Sequence, residues 1–190
     1  MQKMSELLAA ARAQALPVVA GIDDGQLGDP TPCSEYEVRA LVNHLFQVVV
    51  NFKALAAKRP ADFGETPDVV TGDWRGAFAR ETAELVTAWG APGAEDGVTG
   101  GMKLPARTVG LMVLGDLTVH AWDLARATGQ DFVPDPAAVD VAGPALAELA
   151  PQAREGKVFG EPVPLPAGAS PFEQLLALTG RDPGWRPPRA

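Results

Sequence analysis

The sequence holds a single cysteine, Cys33, so no intrachain disulfide framework can form and the chain suits a reducing, cytoplasmic setting. It has no tract of clustered lysine and arginine. With a formal net charge of −8, that absence argues against nucleic-acid binding, which needs a phosphate-neutralising surface. No apolar run is long enough to span a bilayer, which argues against a membrane role. The opening MQKMSELLAAARAQ carries charge early and lacks an apolar stretch ending in a small-residue cleavage site. It reads as the first turns of an amphipathic helix rather than a signal peptide. Strand-like alternation is missing from the first 150 residues, as are internal repeats and low-complexity tracts. Histidine is scarce too: only His44 and His120 are present.

What is there is helical periodicity. The length of 190 residues suits one domain with a real core, and 46% apolar against 21% charged residues fits an ordinary globular protein. A first helix is expected over most of 1–16, with Met4, Leu7, Leu8, Ala11 and Leu16 as its apolar positions. Turn chemistry follows in GIDDGQLGDPTPCS. Ser34 and Glu37 have capping-box spacing, predicting a second helix to about residue 58 with the stripe Val38, Leu41, Leu45, Val48, Val49, Phe52 and Leu55. A third helix is expected over about 71–89. The Gly-rich GAPGAEDGVTGGMKLP then reads as a mobile connection and a candidate lid or rim. Pro105 suits the first position of a fourth helix that stops at Gly129, and Asp135-Pro136 opens a fifth over about 136–149. After an extended Pro-rich stretch, Ser170, Pro171 and Glu173 start a last short helix ending at Gly180. The expected architecture is an all-α, up-and-down bundle, with 151–190 as a C-terminal strap and short helix within one domain spanning 1–190.

Polar groups interrupt the apolar helix GDLTVHAWDLARATGQ at Asp116, His120 and Asp123. Asp116 and His120 are four residues apart, so they share a face with Cβ atoms ~6 Å apart, on the side of Val109, Val113 and Leu124. His44 sits at the edge of the second helix's stripe, near Leu41, Val48 and Leu55. Two imidazoles and one carboxylate make a three-ligand set for zinc or a similar divalent ion and leave one position open, as catalytic zinc sites do. The plain alternative is a buried histidine hydrogen-bonded to a buried acid. Asp123 is a candidate to orient an imidazole from behind, or else to pair with Arg126. Cys33 precedes His44 by eleven residues, or ~16 Å along a helix at ~1.5 Å per residue, which disfavours it as a ligand of the same ion.

The wording around the histidines narrows this further. TPCSEYEVRALVNHL (31–45), DLTVHAWDLARATGQ (116–130) and SPFEQLLALTGRDPGW (170–185) resemble an actinobacterial family. That family is related to the N-terminal domain of mycothiol-dependent maleylpyruvate isomerase, within the DinB-like metalloprotein superfamily. The resemblance covers nearly the whole chain and implies a four-helix bundle holding a divalent metal, commonly zinc, between helices. It places the ligands on His44, Asp116 and His120. Two departures stand out: Asp116 replaces the family's Glu, and the residues after 150 are too few for the isomerase's separate C-terminal domain. They put the isomerase reaction itself in question.

The first functional expectation is a metal-dependent transferase or isomerase that uses mycothiol and a small electrophile. The second is a non-catalytic metal-binding sensor or interaction module, and the third a metal-assisted hydrolase. No side chain is assigned to proton transfer, and pairing into a homodimer is left open.

Overall fold

The structure is a computed structural model that describes residues 2–101 and 103–188. Helices dominate it: α1 (Met4–Ala20), α2 (Val38–Ala56), α3 (Trp74–Trp89), α4 (Ala106–Ala127), α5 (Pro136–Glu155) and α6 (Pro171–Leu178). A 3-10 turn covers Asp24–Gln26. Two two-residue strands, β1 (Val98–Thr99) and β2 (Leu104–Pro105), pair antiparallel within the Gly-rich connection, where the sequence suggests only a mobile rim. The expected all-α bundle is therefore what the chain forms. Among the described residues, no helix is long and apolar enough to cross a membrane.

Around the bundle, α1 packs on α3 and α4, and α2 packs on the same two helices, so α1 and α2 face each other across the diagonal. α5 docks on α4, and α6 docks on α5. This explains the composition of α4: with α1, α2 and α5 all against it, it needs apolar side chains around most of its circumference rather than along one stripe. Two glycines permit the approach. A Cβ on Gly110 would meet Met4 and the Trp89 ring at about 3 Å, and one on Gly115 would collide with Leu146 of α5.

Several helix boundaries differ from expectation. α1 continues through Pro17 to Ala20, because buried Val18 and Val19 anchor the turn that the proline weakens. The Ser34–Glu37 capping box does not form. Ser34 lies in a turn instead, and α2 begins at Val38 with Glu37 as its N-cap. Pro105 is the residue before α4 rather than its first residue. α5 runs past Pro144 and Pro151 to Glu155. The caps at Asp135 and Ser170 are as expected: Asp135 accepts from the Ala138 N–H at 2.9 Å, and Ser170 and Glu173 form a reciprocal box.

The end of α6 matters most for the site. Gly180 follows it at φ +88°, where a Cβ would lie 2.7 Å from the Gly160 Cα of the crossing strap. That reversal turns the next residue, Arg181, into the protein interior, where it is 6% exposed. Gly180→Ala is expected to lose about 1–3 kcal/mol from the backbone conformation alone, and more from the collision. A guanidinium melt would read this as a lower midpoint, and an unchanged midpoint would refute the close crossing.

Candidate metal centre

The site begins with the turn before α2. The Thr31 hydroxyl donates to the Tyr36 carbonyl at 2.8 Å, the Cys33 N–H donates back to Thr31 Oγ1 at 3.2 Å, and the Tyr36 N–H donates to the Cys33 carbonyl at 2.9 Å. These bonds fold Thr31–Tyr36 against the first turns of α2. Tyr36 then stacks on the His44 ring at 5.1 Å between centroids and 20° between planes.

From α4, the His120 ring meets His44 edge-on, with centroids 5.1 Å apart. The two histidines, far apart in sequence, thus face each other across the α2–α4 interface. Asp116, one turn before His120, lines the same cavity. Burial raises the Asp116 pKa, and only the charges of His120 and Arg181 pull it back; no hydrogen bond among the described residues contributes. His44 is pushed down to about 3, first by burial and then by the neighbouring His120 and Arg181, so its ring is neutral at ordinary pH.

Behind His120 lies a buried polar set. Asp123 Oδ2 accepts from His120 Nδ1 at 2.9 Å and from Arg181 at 3.2 Å and 3.3 Å. Arg181 also donates to the Thr179 carbonyl at 2.9 Å. Asp123 is 0% exposed, and its other oxygen, Oδ1, has no partner among the described residues. Of the two partners the sequence suggests for Asp123, the structure selects the imidazole. Arg126 points elsewhere, donating to the Trp185 carbonyl at 3.0 Å and lying over the Trp122 ring.

Cys33 requires a correction. Donor atoms of Cys33, His120 and Asp123 all lie within 4.8 Å of one another. The ~16 Å separation expected from the sequence assumes one helix through Cys33 and His44. In fact Cys33 sits in the turn before α2, and that turn folds back over the helix start. Arg181 is the other residue the sequence reasoning missed. Its only sequence signal was the helix-ending Thr-Gly that precedes it.

Two imidazoles and a carboxylate, the donor types a divalent cation takes, reach one cavity here, although among the described residues the donor atoms within 4.8 Å of one another are those of Cys33, His120 and Asp123. Imidazoles sharing one tetrahedral zinc at about 2.0–2.1 Å have ring centroids roughly 5 Å apart, and His44 and His120 meet that spacing at 5.1 Å. His44 is neutral, as a ligand must be. Asp116 is a carboxylate with unspent acceptor capacity facing the cavity. With His120 Nδ1 held by Asp123, its Nε2 is the nitrogen left for a ligand role. In the tighter group of Cys33, His120 and Asp123, His120 Nδ1 and Asp123 Oδ2 are already hydrogen-bonded to each other at 2.9 Å and Arg181 holds that same oxygen, so their closeness is explained without an ion.

A cavity of about 540 Å³ opens over these residues, within the roughly 300–1,000 Å³ usual for small-molecule sites. Its floor is Cys33, Tyr36, His44, Asp116, His120 and Arg181; its walls come from α2, α4, α5 and the strap.

The all-α bundle, with His44, Asp116 and His120 on one cavity, agrees with the DinB-like fold that the resemblance implies. Within it, the chain belongs to the family of the mycothiol maleylpyruvate isomerase N-terminal domain, whose sequence model matches residues 8–125. The match takes in Cys33, His44, Asp116, His120 and Asp123, and ends before α5, α6 and Arg181. Two relatives in Mycobacterium tuberculosis bear the names "Uncharacterized protein MT0763" (strain CDC 1551 / Oshkosh) and "Uncharacterized protein Rv0738" (strain ATCC 25618 / H37Rv). Each is 35% identical over 190 residues, covering 94% of this chain and 98% of its own. No solved structure matches.

Proposed function

We propose that the protein is a metal-dependent thiol transferase or isomerase, with mycothiol as its thiol and a small electrophile as acceptor. The observation that carries this reading is the pair of facing imidazoles, His44 and His120, beside the unpartnered Asp116 carboxylate at the floor of a ligand-sized cavity. His44, Asp116 and His120 would hold zinc or a similar ion. Three protein ligands leave a coordination position open, and the ion's charge there favours the thiolate form of an entering thiol.

The chain's own residues do the rest. Asp123 fixes the tautomer and tilt of His120, and Arg181 fixes Asp123. Tyr36 backs the His44 ring. The apolar walls keep water from competing with the thiol for the acceptor. In a transfer, the sulfur–carbon bond forms as the leaving group departs with its bonding pair and, in net terms, with the thiol's proton. In an isomerisation, the sulfur adds to a conjugated double bond, the resulting single bond rotates, and elimination returns the thiol.

The test is to incubate zinc-loaded protein with mycothiol and a panel of electrophiles while following free thiol. Thiol should disappear only when an acceptor is present, and His120→Ala should bring the rate down to the uncatalysed one. If no acceptor gives thiol loss above background, or if His120→Ala matches the parent, the transferase reading fails. A protein that binds zinc and ligand but shows no thiol consumption is instead a sensor or interaction module.

A further inference from the structure

Resting on the thiol-transfer reading, we infer that the acceptor is a neutral, apolar electrophile and that the cavity discriminates against carboxylate-bearing ones. The argument comes from the walls rather than the floor. Above the imidazoles, the cavity is faced by Phe52, Leu146, Leu149 and Phe159, and the only charges on its lining beyond the floor belong to Glu35 and Lys157. Both are exposed, so they sit at the solvent edge and not in the depth.

Among the described residues, the one buried cationic side chain on the lining is Arg181, and its charge is paired: it donates to Asp123 and to the Thr179 carbonyl, and its Nη2 lies 3.4 Å from His120 Nδ1. A carboxylate held among those walls, away from the floor where the metal would take the thiol, would lose its water and meet no cation, which is strongly unfavourable. At the mouth Glu35 and Lys157 offset each other, so only the chain's net charge of −8 opposes its approach.

The mouth reinforces the preference. Phe63 and Val158, both on the lining, are 48% and 68% exposed. Phe63 continues the apolar surface inward through an edge-to-face contact with Phe52, with centroids 5.8 Å apart. Large apolar side chains left in water at the entrance of an apolar cavity gain when an apolar ligand covers them. The polar body of the thiol then has Glu35, Gln152 and Lys157 to meet at the rim.

Unreactive ligands separate this inference from the chemistry. N-alkylsuccinimides, from methyl to butyl, would be titrated by calorimetry with no thiol present into zinc-loaded protein and into protein freed of zinc, the carboxylate comparison being read in the latter, where no ion can capture it. A butyl-length analogue ending in a carboxylate would be run beside them. The dissociation constant is expected to fall about fourfold per methylene, and the carboxylate analogue to bind at least about tenfold more weakly than the neutral compound of equal length. Phe63→Ser, at an exposed position, should weaken the butyl compound by about three- to tenfold. Affinity that ignores chain length, or a carboxylate analogue that binds more tightly, overturns the inference. A clear chain-length slope without thiol consumption in the turnover assay leaves the cavity's preference standing and sinks the transfer reading alone.

Discussion

Arg181→Met is expected to lose about 3–5 kcal/mol of folding stability, the usual cost of removing one member of a buried charge pair. Asp123 is wholly buried, and among the described residues the guanidinium is the only Lys or Arg side chain that reaches it, while its other oxygen lacks a partner. Methionine fills much of the space with nothing to offer the carboxylate. Adding Asp123→Asn to this variant removes the orphaned charge while keeping an acceptor for His120 Nδ1. The double variant should therefore recover more than half of the loss. A double-mutant cycle in urea gives the coupling directly. If Arg181→Met melts like the parent, or if the two losses simply add, the buried pair is not what holds the C-terminal strap to α4.

Zinc content should divide the floor residues into two groups. His44→Ala, Asp116→Asn and His120→Ala are each expected to leave the purified protein essentially without zinc by elemental analysis, with its helicity by circular dichroism retained. Asp123→Asn, which changes only what stands behind His120, should weaken zinc binding by about 10- to 100-fold. Cys33→Ser should retain a full equivalent, even though its sulfur lies within 4.8 Å of donor atoms on His120 and Asp123. The opposite pattern, with Cys33→Ser empty and His44→Ala full, would move the centre to Cys33, His120 and Asp123.

Much of the fold is legible in the sequence because the helices bury continuous faces and carry conventional starts. Asp135 and Ser170 cap as their spacing predicts, and the apolar density of α4 foretells a helix surrounded by others. Asp123, three residues after His120, is within reach on any helix, and the structure places it there. The omissions have physical causes. A distance measured along a helix misplaces Cys33, because Thr31 ties its segment into a turn that returns over the start of α2. The direction of Arg181 depends on the positive φ of Gly180, which in turn depends on Gly160 leaving room for the crossing. Two glycines twenty positions apart give no periodic signal. Sequence shows that α6 ends, but not which way the chain then turns.

The histidines and acids come from α2 and α4, inside the segment matched by the family, while much of the greasy enclosure above them comes from α5 and the strap, outside it. On the proposed function, reactivity and selectivity would be written in separate stretches of chain. Relatives sharing the first stretch are free to change what they accept by altering the second, as a toolmaker keeps one handle and swaps the bit.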